Sequence, residues 1–378
     1  SEGDYMRTDL LGIIFSNAAD EVLREMTAVR CLGSVPFGGR YRLIDFTLSN
    51  MVNAGVSKVA VITKNNYRSL IDHLGSGKPW DLARKKGGLS IFPPFINYGE
   101  GVRTSRIEQL LTILPLLEMS TQEFVIMSDC DTVSNIDIED MVKEHCDRKA
   151  DITIAYRHGI IPQSFEGRMV FDIMPDGRII DIRCSPDISE PVDFSLNIAV
   201  LRRELLIRMI KDARARNFTR ITRDILQPAV SSYTLKIYGY EITAYTGVID
   251  SVKSYLETSM DLLKADVRRQ LFYTGRTVYT KVRDEMPVRY GLGATVKNCL
   301  IADGCIIEGA AENCVLFRGV RISPGAVLKN SIVMQGSVIS PNVEASYIIC
   351  DKNVNVTAGR KLSGCATYPA FFEKGSVV

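Results

Sequence analysis

Residues 298–345 read NCLIADGCIIEGAAENCVLFRGVRISPGAVLKNSIVMQGSVISPNVEA. Set in register, the stretch divides into versions of one unit that open at Asn298, Asn313 and Asn330, and SYIICDKNVNVTAG (346–359) supplies a fourth. The openings lie 15 and 17 residues apart, close to three hexapeptides, which is one coil of a parallel β-helix. One coil cannot bury its own inward Ile, Val and Leu, so four coils must stack to make a core. An ordinary antiparallel β domain is the alternative. The recurring Asn, the inward apolar residues and Gly at the corners favour the solenoid, whose flat sides and open ends suit contacts between subunits.

Upstream, residues 9–263 alternate short apolar runs with helical stretches. LLGIIF (10–15), VAVITK (59–64), FVIMSD (124–129) and ITIAYR (152–157) are short, apolar and bounded by polar residues, and predict buried strands. Between them, 41–55, 105–119 and 136–150 carry apolar residues at helical spacing. Strand–helix alternation predicts an α/β fold, a mostly parallel Rossmann-like sheet covered by helices. Ligands of such sheets bind beyond the carboxyl ends of the strands, which places the loop after Phe15 and the segment SDCD (128–131) at one mouth. The expected division is a domain over 6–265, a linker over 266–284 and the solenoid over 285–378.

A chain of 378 residues with 46% hydrophobic and 24% charged residues has enough apolar surface for two domains. Its net charge of +2 offers no basic field for nucleic acid or a membrane surface. Apolar runs stay short of the ~18 residues that suggest a membrane span. SEGDYMRTDLLGIIF lacks the basic start and cleavage site of a secretory signal, and residues 1–5 read as native chain or as a short added leader before Met6. The nine cysteines contain no C-x-x-C pair and the three histidines stand far apart, so neither a zinc site nor a disulfide framework is expected. Buried free thiols in a reducing cytoplasm are.

Four stretches carry a resemblance over nearly the whole chain: VPFGGRYRLIDFTLSN (35–50), DGRIIDI (176–182), SYLETSMDLL (254–263) and the solenoid segment 302–339. Together they resemble the ADP-glucose pyrophosphorylase (glucose-1-phosphate adenylyltransferase) family, in which a nucleotidyltransferase domain precedes a left-handed β-helix. The resemblance implies a reaction in which glucose-1-phosphate attacks the α-phosphorus of ATP and pyrophosphate leaves. Such a site must neutralise a triphosphate, hold Mg²⁺ and align the sugar phosphate.

Against that pattern the chain departs at each working position. The family's Gly-rich loop corresponds to FSNAADEVLREMT (15–27), with Asn17 and Ala18 at glycine positions, Val22 at the loop arginine and Leu32 at the lysine ahead of FGG. Read by itself, SNAADEVL predicts a helix start capped by Ser16 or Asn17, with Asp20 and Glu21 in its first turn. Those acids would then face the phosphates, where a like-charge pair at ~4 Å costs about 4 kcal/mol at an effective dielectric of ~20. Alternatively the helix turns them to solvent and some nucleotide still binds. Asp129 keeps the place of one metal-binding aspartate, as a working ligand or as a structural acid, with Asp131 nearby. The place of the second falls on Val248, with Asp250 two residues on, a step of roughly 7 Å along a strand. Ser185 stands where the family places the sugar-phosphate lysine, and VRTS (102–105) replaces the family's Gly-Thr-Ala-Asp turn ahead of Gln109. Gly38, Gly39, Gln109 and Asp129 thus read as remnants of the nucleotide and metal site. Arg40, after FGG, matches a basic residue linked to phosphorylated effectors, or is a solvated surface arginine.

The pattern resembles the GlgD-type subunits of the family. This implies a regulatory chain, weakly active or inactive alone, that joins a catalytic GlgC-type subunit in a cytoplasmic heterotetramer making ADP-glucose for glycogen biosynthesis. Mg²⁺ is then expected in the catalytic partner rather than here. Two other readings compete. An enzyme active alone would need a nucleotide-dependent Mg²⁺ site at Asp129 with Asp131 or Asp250. An effector-sensing scaffold would fail to assemble with the catalytic subunit.

Overall fold

The computed structural model describes residues 9–17, 20, 23–85, 87–94, 105–161, 168–184, 188 and 190–378. They form two compact units. One draws on Ser1–Ala18, Thr47–Cys130 and Ile136–Ala244, the other on Ala19–Phe46, Asp131–Asn135 and Tyr245–Val378.

The first unit is built on a mixed nine-stranded sheet. Strand β1 (Leu10–Phe15) runs parallel to β2 (Lys58–Ile62) on one side and to β4 (Phe124–Asp129) on the other, and β3 (Gly88–Phe92) continues parallel beyond β2. The other edge of β4 takes β8 (Val192–Arg202) antiparallel. β8 in turn pairs with β5 (Ile152–Gly159) and β6 (Met169–Ile173), β6 with β7 (Ile179–Cys184), and β5 with β9 (Ile237–Glu241). β1 is buried along its whole length, which explains an apolar run without alternation. Within it a Cβ at Gly12 would fall 2.7 Å from Met51 Sδ, so glycine lets that side chain close on the strand.

Strands form over all four runs read from the sequence. The helical stretch 105–119 is divided into Arg106–Thr112 and Leu114–Met119, because Pro115 has no N–H to continue the ladder. The first of these starts at a reciprocal cap. Glu108 N donates to Ser105 Oγ at 3.1 Å, and Ser105 N donates to Glu108 Oε2 at 2.7 Å.

In the second unit the tail is a left-handed parallel β-helix whose walls are three parallel sheets of five strands each. Five rungs therefore stack where the repeats suggest four. The additional rung starts at Arg289–Tyr290 and Thr295–Lys297, whose exposed, mixed residues hide the repeat. Ile301 lies opposite Leu316 and Leu316 opposite Val333, so each coil supplies one layer of apolar residues to the interior. The asparagines that open the repeats stand at a corner. Asn298, Asn313 and Asn330 have φ of 48°, 52° and 47°, a left-handed region that Asn tolerates better than most residues. Their amides form a ladder, Asn298 Nδ2 donating to Asn313 Oδ1 at 2.7 Å and Asn313 Nδ2 to Asn330 Oδ1 at 3.2 Å. Tyr347 takes the next corner at φ 51°.

Among the described residues no helix is long and apolar enough to cross a membrane. None of the nine cysteines is in a disulfide, but only Cys31, Cys130, Cys305, Cys314 and Cys350 are buried. The expectation of buried thiols thus fails at Cys146 and Cys365, which are exposed, and at the half-buried Cys184 and Cys299.

Candidate functional site with an internal cation on Asp129

Ser16, Asn17 and Asp20, the described residues after β1, are in turns rather than a helix. Asn17 Oδ1 accepts from Lys64 N at 2.8 Å and Thr63 Oγ1 at 3.1 Å, while Ser16 Oγ approaches Ile62 O at 3.1 Å. Both side chains expected to cap a helix are engaged at the end of β2. Among the described residues the only helix here is the single turn Arg24–Thr27, without a side-chain cap. Asp20 has a definite partner: its Oδ1 accepts the backbone N–H of Leu32 at 2.7 Å. Leu32 itself is buried in the turn Leu32–Ser34. At the position of the family's lysine the chain thus presents a backbone donor to one of its own carboxylates. Val22 and Ser185, with Ala18, Glu21 and residues 102–104, lie outside the described residues.

Asp129 closes β4 and is 1% exposed. Arg106, the first residue after the Ser105 cap, places Nη2 at 2.7 Å from Asp129 Oδ1 and 2.8 Å from Oδ2. Its guanidinium also lies over the Phe15 ring, 4.2 Å from the centroid. The Asp129 carbonyl accepts from Thr47 Oγ1 at 3.1 Å and Ser128 Oγ at 2.9 Å. Gln109 stands one turn along the same helix, half-buried. A resident cation therefore sits on both oxygens of the carboxylate matched to the family's metal ligand. Among the described residues no group of three or more His, Cys, Asp or Glu side chains is placed to hold a metal ion. A Mg²⁺ ion would have to displace Arg106 to reach Asp129, so this donor set does not fit the metal and we derive no step through it.

The other acids do structural work in the second unit. Val248 lies in Thr246–Val248, which pairs antiparallel with Thr132–Ser134, setting Val248 opposite Thr132. Asp131 accepts Ile249 N at its carbonyl, 2.7 Å, and Thr132 Oγ1 at its carboxylate, 3.2 Å. Asp250 Oδ1 accepts from Ser254 Oγ at 2.8 Å and from Ser251 Oγ at 3.3 Å. It thereby extends the cap by which Ser251 starts the helix Val252–Asp261.

VPFGGRYR folds as a hairpin, Pro36–Phe37 against Tyr41–Arg42, turning through Gly38 and Gly39 at φ 57° and 82°. A Cβ on Gly39 would stand 3.5 Å from Ala302 Cβ, so the turn rests on the first coils of the solenoid. Tyr255 Oη donates to Pro36 O at 2.6 Å, and Arg30 is bound bidentately by Asp351. Arg40 is exposed, with its guanidinium 5.4 Å from the Tyr41 ring centroid. The same face is rich in cations. Burial, then Arg40 and Arg283, push the Arg318 guanidinium below its ordinary range. Burial, opposed by Asp45 and reinforced by Arg30 and Arg283, lowers Arg42 to about 10. Burial with Arg42 and Arg30 nearby lowers Lys352 to about 7.

The sequence pattern did not identify Arg106 as part of the site. The only available signal was a basic residue directly after a capping box, and which carboxylate it would meet depends on the β1–β4 register.

Residues 12–261 match the nucleotidyl transferase family model, and residues 288–364 match the GlmU-like C-terminal hexapeptide family. The chain is similar to the glycogen biosynthesis protein GlgD of Bacillus subtilis (strain 168), 36% identical over 368 residues that cover 97% of this chain and 96% of that protein. It is 37% identical to the GlgD of Geobacillus stearothermophilus over 324 residues, 85% of this chain and 84% of that one. It is also 30% identical to a glucose-1-phosphate adenylyltransferase of Fervidobacterium nodosum (strain ATCC 35602 / DSM 5306 / Rt17-B1) over 360 residues, 94% and 85% of the two chains. With a nucleotidyl transferase unit, a hexapeptide solenoid and these relatives, the chain belongs to the ADP-glucose pyrophosphorylase family.

Proposed function

We propose that this chain is a regulatory subunit of glucose-1-phosphate adenylyltransferase, weakly active or inactive by itself, acting in glycogen biosynthesis in the cytoplasm. It joins a catalytic GlgC-type subunit in a heterotetramer, and adenylyl transfer from ATP to glucose-1-phosphate, with its Mg²⁺, takes place on that partner. The observation that carries this reading is the Arg106 guanidinium on both oxygens of Asp129. Adenylyl transfer needs that carboxylate to serve a metal–triphosphate complex, and here it neutralises a protein cation. The Asp20 carboxylate on the Leu32 amide supports the same reading, because it presents an anion where a phosphate-binding group is needed. The names of the GlgD relatives agree with the pathway.

The chain's own contribution is effector sensing. Arg40 and Arg283 repel Arg318, and Arg30 and Arg283 repel Arg42, within one unit, and a phosphorylated metabolite supplies the anionic charge that relieves this repulsion. The test is an adenylyl-transfer assay of this chain, of the catalytic subunit and of the two co-expressed. No turnover from this chain alone, with a higher rate or altered effector response in the mixture, supports the proposal. Turnover by this chain alone at the catalytic subunit's rate, or no co-assembly, overturns it.

A further inference from the structure

Cys299 and Cys314 occupy the same position in successive coils, each directly before a wall strand of the solenoid. Those strands, Leu300–Ile301 and Val315–Leu316, pair in parallel with Leu300 opposite Val315. Adjacent strands lie about 4.8 Å apart, within the roughly 4.4–6.8 Å between Cα atoms that a disulfide spans. The two thiols are close enough to influence each other's ionisation. Cys299 Sγ lies 3.3 Å from Lys297 O and 3.4 Å from Ala311 O, and Cys314 Sγ lies 3.1 Å from Glu312 O, so both point along the same column. The third coil carries Ser331 at this place, so the column holds one thiol pair. Cys299 is half-buried and Cys314 buried. An oxidant thus meets Cys299 first, with Cys314 behind it.

We propose that Cys299 and Cys314 form a dithiol site which low-molecular-weight disulfides oxidise to an intramolecular disulfide, joining the first two coils. The Cys299 thiolate attacks one sulfur of the small disulfide, forming a mixed disulfide and releasing one small thiolate. Cys314 loses its proton to solvent and attacks the Cys299 sulfur, forming the inter-coil bond and releasing the second small thiolate. Two protein thiols are oxidised and one small disulfide is reduced to two thiols. The environment favours this order. The Cys314 thiol and nearby backbone amides hold Cys299 at about 7, whereas burial holds Cys314 well above the ordinary thiol range. The thiolate that forms at neutral pH is the accessible one.

The test is incubation of the reduced full-length chain with oxidised glutathione, followed by intact mass and peptide mapping. The wild-type chain should lose two hydrogens through a linked 299–314 peptide, and dithiothreitol should restore the reduced mass. C314S should retain a glutathione adduct on Cys299, while C299S should give neither adduct nor link at these positions. The exposed Cys146 and Cys365 are internal controls, each expected to carry adducts without a link to 299 or 314. Because the map is read on the wild-type chain, a poorly folding variant leaves the test intact. A persistent glutathione adduct on wild-type Cys299 without the link, or no reaction at Cys299, overturns the proposal.

Discussion

Arg30 and Asp351 stand 321 residues apart in the chain and meet through two hydrogen bonds of 2.9 and 2.8 Å. Their side chains are 3% and 2% exposed, so the pair is sealed from water. It joins the segment ahead of VPFGG to the turn that follows the solenoid strand Ile348–Cys350. Tyr255 on Pro36 O and Gly39 against Ala302 hold the same segment. The VPFGG frame is therefore tied into the second unit by contacts that do not depend on a nucleotide.

Removing one partner of this pair leaves a buried charge uncompensated. We expect R30A or D351A to cost about 3–5 kcal/mol, and the apolar double replacement R30M/D351L to cost clearly less than either. Urea midpoints of the three variants measure this. Equal losses in all three would show that packing, rather than uncompensated charge, sets the cost.

For Asp129 the expectation departs from that for a metal ligand. D129N should destabilise the first unit, because Arg106 loses its charged acceptor, yet leave activation of the catalytic partner unchanged. The loss should be on the order of 1–3 kcal/mol, below that of a sealed pair, since Arg106 is one-third exposed. Thermal melting and the co-expressed assay read the two effects separately. Loss of activation in a D129N chain that remains folded would place Asp129 in the reaction.

Restoring the family's groups together should raise activity, while each alone should not. The set is Leu32→Lys, Val248→Asp, Ser185→Lys and a Gly-rich loop over 16–22, and the geometry adds Arg106→Ala to clear Asp129. Leu32→Lys alone should lower stability, because the side chain it replaces is wholly buried. Single-turnover formation of ADP-glucose checks both statements, and activity from one substitution would mean that the remaining positions were already competent.

His145 sets an acid limit on the first unit. Burial, with Arg202 nearby, lowers it to about 4, and its Nδ1 lies 2.8 Å from Thr153 Oγ1. In the unfolded chain it titrates near 6.5, so between pH ~6.5 and ~4 the unfolded state binds the extra proton. This contribution is complete above pH ~6.5 and falls by on the order of 2–3 kcal/mol as pH approaches 4. H145Q should narrow the difference in unfolding midpoint between pH 7 and pH 4.5. An unchanged difference would show that carboxylates alone govern the acid limb.

Local pattern made much of the fold readable. LLGIIF and FVIMSD are buried on both faces and have few alternatives to a central strand, and the Asn298–Asn313–Asn330 spacing announces the solenoid. The first rung stayed hidden because Arg289–Tyr290 and Thr295–Lys297 face solvent and carry no apolar column. That Asn17 and Leu32 depart from the family's pattern was legible, but the partners they take in the fold were not. Asn17 binds Lys64 N and Thr63 through the β1–β2 pairing, and Arg106 reaches Asp129 through the β1–β4 pairing. Both depend on strand register, which no local window of sequence contains. For the same reason Ser16 and Asn17 resemble helix caps locally and act as strand-end anchors in the fold.

The most direct measurement of the central claim is a calorimetric titration of the purified chain with ATP and Mg²⁺, in the wild type and in R106A. We predict no metal-dependent binding in the wild type, because a protein cation already holds Asp129 and the chain's own carboxylate meets the Leu32 amide. Tight Mg²⁺-dependent ATP binding by the wild-type chain, accompanied by turnover without a partner, would contradict it.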